Sequence, residues 1–146
     1  MRPSGQTSYR LMDEADDARL RRLAKKHGLP VEGFDFPTVV AKRGRKIVGF
    51  LSTVPTKSAI VAGPLVVDLP VKGPVTLRLV ECYEAALRDA GVISYIFAIP
   101  EASVNWQRNA EEAFDLKPYA RKDGQLWYVR RLNGQQGTER PGPVFD

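Results

Sequence analysis

The residues best placed to do chemistry lie in the turn Leu69 to Thr76, which reads LPVKGPVT and leads into a strongly periodic apolar stretch. If that stretch is a helix, the backbone N–H groups of Val71, Lys72, Gly73, Val75 and Thr76 stand at the positive end of its dipole, where a phosphate can be held without special side chains. Lys72 adds a cation. Other reactive groups are few, with one histidine and one cysteine in the whole chain. His27 falls at the end of a helical pattern, where it packs and complements the dipole rather than serving as a base or ligand. Cys82 falls on the apolar face of its helix, so its thiol is expected to be buried and inert. A single cysteine rules out an internal disulfide and a multi-cysteine zinc site, and points to a reducing compartment. No metal site is expected.

These groups need elements to position them. Ala59 to Asp68 holds Ile60, Val61, Leu65, Val66 and Val67, a short β-branched run expected to be a strand buried on both faces. From Val75 to Ala90, the residues Leu79, Cys82, Tyr83, Ala86, Leu87 and Ala90 recur at helical spacing, and Gly91 can end the helix. Burial of each large side chain on that face contributes roughly 1.5–3 kcal/mol.

The chain before this stretch reads as a strand, a helix and a hairpin. Thr7 to Met12 alternates as a half-buried strand, and Asp13 is an N-cap followed by Glu14, Asp16 and Asp17 in a first helical turn. Leu20, Leu23, Ala24 and His27 form the inner face of that helix, and Gly28 ends it. Its cations Arg19, Arg21, Arg22, Lys25 and Lys26 read as a solvated face, and with no aromatic residues among them a nucleic-acid partner is not expected. Leu29 to Pro37 is too broken for a helix but can pack Phe34 and Phe36 on a core. Thr38 to Lys42 and Lys46 to Thr53 form a hairpin turning at Arg43, Gly44 and Arg45, and Pro55 ends the second strand.

After the central helix, Val92 to Ile99 is β-rich, and Ala102 to Phe114 is a helix with Trp106, Ala110, Ala113 and Phe114 on one face. Lys117 to Arg121 and Gln125 to Leu132 make a closing hairpin around Asp123 and Gly124. The opening residues Met1 to Gln6 are polar. Residues 133–146, rich in Gly, Pro and Gln, cannot build a core and read as a flexible tail or a peptide that docks on a protein partner. The expected organisation is one domain over residues 1–132 followed by that tail.

Composition sets outer bounds. The chain has 146 residues, 43% hydrophobic and 27% charged, which suits one globular domain. A net charge of +5 favours anionic contacts without choosing among them. No stretch approaches the roughly 20 apolar residues of a membrane span, and the first residues lack an apolar signal core, so a cytoplasmic location is expected.

This order of elements resembles the GNAT acyltransferase superfamily over roughly residues 7 to 132. The matching pieces are the VAKRGRKIVGFLS hairpin, the VVDLPVKGPVTLRLVECYEAAL strand, loop and helix, and ISYIFAIPEASVNWQRNAEEAF leading to the last hairpin. The resemblance implies an α/β (α+β) fold: a mixed central sheet of about six to seven strands flanked by three to four helices. It also implies a bulged central strand that diverges from its neighbour to admit the pantetheine arm of acetyl-CoA. Gly63 and Pro64 stand in the presumed central strand, and proline is tolerated there chiefly at a bulge or edge.

The resemblance further implies a site. Lys72 and Gly73 take the place of the common Arg-Gly pair of the pyrophosphate loop, with Val75 and Leu77 where Gly or Ala is usual, so bulky side chains are expected to narrow the cradle. Cofactor contacts then fall to Val66, Val67, Val71, Lys72, Gly73, Val75, Thr76, Asn105 and Asn109. The last of these stands where the family often has a Tyr, before Ala113-Phe114 in place of a Gly-Phe pair. Acetyl transfer needs a base for the acceptor ammonium and an acid for the departing thiolate. Asp68 and Glu101 are the carboxylates nearest the slot by topology, and Tyr119 or Tyr95 could supply the phenol.

Two functions follow. One is an acetyl-CoA-dependent N-acetyltransferase acting on a small-molecule or protein amine. The other is a catalytically degenerate protein of the same fold without cofactor, since the segment from Val75 through ARKDGQLWYV also resembles GNAT-like proteins of short-tailed bacteriophages, some of them in the virion.

Overall fold

Asp13 does what its type and position predict. Its carboxylate accepts from the Ala15 amide at 2.9 Å, while the Asp16 carboxylate reaches back to the Asp13 amide at 2.9 Å, closing a capping box. In the computed structural model the described residues are 6–29, 31, 33–54, 56 and 59–132. The readings made for residues 1–5, for Pro55 and for the tail 133–146 lie outside them.

The order is β1 (Thr7–Leu11), a 3-10 turn (Glu14–Asp16), α1 (Asp17–Lys26), β2 (Asp35–Arg43), β3 (Lys46–Val54), β4 (Val61–Val67), α2 (Gly73–Asp89), β5 (Ser94–Pro100), α3 (Val104–Phe114), β6 (Ala120–Lys122) and β7 (Gln125–Arg131). The seven strands form a mixed sheet in the order β1-β2-β3-β4-β5-β7-β6. The chain divides into two compact units, Met1–Pro55 with Ala62–Ala90, and Thr56–Val61 with Gly91–Asp146.

In the first unit β1, β2 and β3 are antiparallel, with Val40 opposite Phe50 and Ala41 opposite Gly49. α1 lays Leu20, Leu23 and Ala24 on Val40, Ile47, Phe50 and Val66, and Phe34 meets the Phe50 ring edge-on at 5.7 Å. α2 packs on β2 with further contacts to β1 and β3, and buries Val75, Leu79, Tyr83 and Leu87. Inside this layer the Tyr83 hydroxyl lies 2.8 Å from Thr53 Oγ1, which donates to the Pro37 carbonyl at 2.9 Å. Thr53 has one hydroxyl proton and has spent it, so Tyr83 is the donor of the pair. Burial pushes the Tyr83 phenol up to about 12.

In the second unit β5 and β7 pair antiparallel from Ser94 with Arg131 to Pro100 with Gln125. Ile99, Ala110 and Tyr128 form its core with Phe97, Leu116 and Leu126 around them, and Phe97 stacks on Tyr128 at 5.2 Å. Val61, the first residue of β4, pairs in parallel with Ile96, whose amide donates to the Ile60 carbonyl at 2.9 Å.

Several burial expectations are corrected. Only Val66 and Val67 of β4 are buried, the residues before them being half-buried. Phe36 is 59% exposed, because a register shift between Asp35 and Val39 breaks the alternation that would have turned it inward. α3 is buried at Ala110 alone, leaving Trp106 and Ala113 exposed, because the core cluster of this unit reaches the helix only there. Ala90 is exposed past the end of α2, and Cys82 is half-buried at the margin of its face. His27 is not an inner-face residue either: it is the C-cap of α1 and its ring is directed to a carboxylate.

Candidate functional site

The end of β4 is fixed from three sides within the first unit. The Asp68 amide donates to the Val48 carbonyl at 2.8 Å, continuing the ladder with β3. Its carboxylate accepts from Lys26 Nζ at 3.0 Å and lies 3.2 Å from His27 Nε2 at the end of α1. The Lys26 ammonium, helped by His27 and opposed by burial, holds the Asp68 carboxyl below the usual range. A carboxylate so held is a poor proton acceptor, and Asp68 serves here to tie β4 to α1. The third side is Gly49 on β3. A Cβ at Gly49 would stand 2.8 Å from the Val66 carbonyl oxygen and 3.4 Å from the Val67 Cα, so only glycine lets the two backbones approach.

Upstream in β4, Gly63 has φ +141°, a conformation other residues rarely adopt, and the Gly63–Pro64 peptide is cis. Pro64 brings no N–H to the ladder. Both residues lie inside β4, which runs unbroken from Val61 to Val67.

Downstream, Lys72 is the N-cap residue of α2 and makes no side-chain cap. Its ammonium instead donates to the Val67 carbonyl at 2.8 Å, which brings the cation back over the strand end with two N–H groups to spare. Gly73 has nothing within 4 Å of a Cβ position, and Pro74 stands in the first helical turn. The Thr76 amide is already committed to the Lys72 carbonyl at 2.9 Å, so it does not join a free row of donors. The Thr76 side chain is the informative one: it is 7% exposed, and its buried Oγ1 has no hydrogen-bond partner among the described residues. Buried hydroxyls without partners are uncommon and call for an explanation. Val75 is turned into the core, so it does not narrow the loop, whereas Val71 and Leu77 are exposed beside it.

The remaining candidates belong to the second unit. Glu101 follows β5; its amide donates to the Gly124 carbonyl at 2.9 Å, and its carboxylate Oε2 pairs with Arg121 Nε. Tyr119, two residues before Arg121, is anchored by its amide on the Trp127 carbonyl at 2.8 Å. Burial raises its phenol. Asn105 and Asn109 are exposed on α3, Asn105 Oδ1 accepting from Arg108 at 3.5 Å. Tyr95 is a buried residue beside Phe97. The structure thus gathers Val66, Val67, Asp68, Lys72, Gly73 and Thr76 at one strand end, while Glu101, just after β5, pairs with Arg121 of the closing hairpin.

No family model matches the chain, and no curated protein sequence matches it. Solved structures do. The GNAT-family N-acetyltransferase YhbS from Escherichia coli, in complex with CoA, is 21% identical with a TM-score of 0.63, covering 90% of this chain and 84% of its own. A ribosomal-protein alanine N-acetyltransferase from the same organism is 13% identical with a TM-score of 0.67, covering 97% and 100%. Diaminobutyrate acetyltransferase from Paenibacillus lautus, in complex with its substrate and coenzyme A, is 14% identical with a TM-score of 0.65, covering 85% and 93%.

The fold is that of the GNAT acetyltransferases. Within a GNAT fold, Gly49 is the residue here that the sequence pattern did not single out; the available signal was a lone glycine inside an apolar strand, which marks close backbone approach. The tie of Lys26 and His27 to Asp68 had no local signal, since it spans 41 and 42 residues.

Proposed function

We propose that the chain is an acetyl-CoA-dependent N-acetyltransferase acting on an amine of a small molecule or a protein. The observation that supports this most is the start of α2, where Lys72 makes no side-chain cap and where, among the described residues, the buried Thr76 Oγ1 has no hydrogen-bond partner. A helix end left in that state fits a pyrophosphate. The amides of Gly73 and Val75 and the Thr76 hydroxyl would hold it, with the spare N–H groups of Lys72 alongside. Val66 and Val67 would hold the loop at its root, and the exposed Val71 would offer an apolar wall. The solved GNAT structures that contain coenzyme A add support through the shared fold.

Bound acetyl-CoA would supply the acetyl thioester, and coenzyme A would leave as the thiol. The chain's own residues would handle the protons. Glu101 of the second unit is the candidate base, its oxygen not paired with Arg121 being open to a proton from the acceptor ammonium. Tyr119, a phenol of the second unit that burial raises, is the candidate acid for the departing thiolate. Asp68 is left out of this set, because its carboxylate is held ionised by Lys26 and fixes the strand end.

Calorimetric titration with coenzyme A tests the proposal. A Gly73→Asp variant sharpens it, since nothing lies within 4 Å of the new side chain's first atom. The added carboxylate at a helix start should stabilise the fold by about 0.3–1 kcal/mol while repelling the pyrophosphate. Binding to the parent that is lost in a variant melting no lower would support the site. No heat and no thermal shift at millimolar coenzyme A would reject it and favour the degenerate reading.

A further inference from the structure

A groove of about 590 Å³ opens between α1 and the β2–β3 hairpin, lined by Arg19, Arg22, Leu23, Lys26, Arg43, Arg45, Lys46, Ile47 and Asp68. The cations of α1 alone read as a solvated face, but the fold sets Arg43, Arg45 and Lys46 opposite them, across 17 or more residues of sequence. Six Lys or Arg against one Asp gives the lining +5, which equals the net charge of the entire chain, so the other sixteen bases and sixteen acids cancel. The lining therefore carries a dense local excess of positive charge.

That concentration is not neutralised locally. The one carboxylate in the lining, Asp68, is engaged by Lys26 and His27. Among the described residues no carboxylate forms an ion pair with Arg19, Arg22, Arg43, Arg45 or Lys46. Two of the arginines are nonetheless oriented: Arg19 Nη1 donates to the Arg45 carbonyl at 3.4 Å, and Arg43 Nε donates to Thr7 Oγ1 at 2.9 Å. Each of these bonds uses one of five guanidinium donors and leaves the rest free. Like charges held together in this way repel one another, and an anion relieves the repulsion.

We infer that this groove binds the phosphate backbone of a nucleic-acid duplex, without reading sequence. Four of the six cations are arginines, whose planar fork matches phosphate oxygens and keeps its charge at any physiological pH. A duplex offers a rigid row of charges, about one per 1.7 Å of axis, whereas an acidic peptide would have to be ordered as it binds. Among the described residues the lining contains no aromatic side chain, so they offer no platform for stacking unpaired bases. The expectation of no nucleic-acid partner rested on α1 by itself and on the absence of such stacking residues, which a backbone contact does not require.

The test is fluorescence anisotropy with a labelled DNA duplex of mixed sequence, and with the matching RNA duplex, in the absence of coenzyme A. Engagement of four or five of the unpaired cations predicts a slope of log K against log salt near −4 between about 50 and 200 mM. An Arg22→Ala/Arg45→Ala variant should reduce that slope by about 2 and weaken binding several-fold or more at the lowest salt, with an unchanged melting curve. Lys117→Ala/Lys122→Ala, which removes the same charge from the other unit, should leave the slope almost unaltered. Stronger binding to RNA than to DNA, or the reverse, would identify the duplex type. No binding at low salt, equal losses in the two double variants, or tighter binding to polyglutamate than to either duplex would each overturn the inference.

Discussion

Replacing Gly49 with alanine probes the contact on which the geometry of the β4 end depends. The added methyl would lie 2.8 Å from the Val66 carbonyl oxygen, 3.4 Å from the Val67 Cα and 3.6 Å from the Leu79 Cδ1. The nearest neighbour is backbone and cannot swing aside, so β3 and β4 must separate. Overpacking of this kind costs about 1–3 kcal/mol, and the reduced freedom of the unfolded chain returns about 0.4–1 kcal/mol. The net loss should be roughly 1–2 kcal/mol, which for a chain of this length lowers the melting temperature by roughly 3–8 °C. Gly73→Ala is the matched control, because nothing lies within 4 Å of its Cβ position. Urea unfolding of both variants gives the stability change, and calorimetry with coenzyme A reads whether the moved strand end alters the loop that follows it. Gly49→Ala with the midpoint and slope of the parent would refute the close-approach argument, and so would equal losses in the two variants.

Two further outcomes concern buried polar groups. Tyr83→Phe deletes the donor to Thr53 Oγ1 inside the α2 layer and should cost about 1 kcal/mol. Urea midpoints would show it, and a variant as stable as the parent would remove the assigned bond. Asp16, 3% exposed, takes both guanidinium nitrogens of Arg10 at 2.7 and 3.0 Å, and that pairing, with the Asp13 amide and against burial, lowers its carboxyl below 3.8. A depressed carboxyl contributes its stabilisation above the unfolded-state value and loses it as pH falls through the folded-state value. Stability should therefore drop on acidification below about pH 4, and Asp16→Asn should flatten that drop while costing about 2 kcal/mol at neutral pH. Melting curves across acid pH check both; an unchanged acid slope in Asp16→Asn would show that other carboxyls carry it.

Much of the fold follows from local patterns. The α2 stripe of Leu79, Tyr83 and Leu87, the Asp13 cap and the two hairpin turns arise from interactions within a few residues, and their chemistry is fixed by spacing. The start of α2 was legible for the same reason: a Pro and a Gly before a periodic run mark a helix end wherever they occur. The sequence by itself thus determined which segments are strands and helices, and which backbone donors stand at the start of α2. It did not determine which of those donors are free. The Thr76 amide is spent on Lys72, the Thr76 hydroxyl is buried alone, and Lys72 folds onto Val67, all of which depend on how the loop closes. Nor did it show that Asp68 would be claimed by α1, or that the hairpin would place Arg43, Arg45 and Lys46 across from Arg19 and Arg22. These pairings join residues far apart in the chain, and a side chain's partners there are set by packing in three dimensions rather than by its neighbours in sequence.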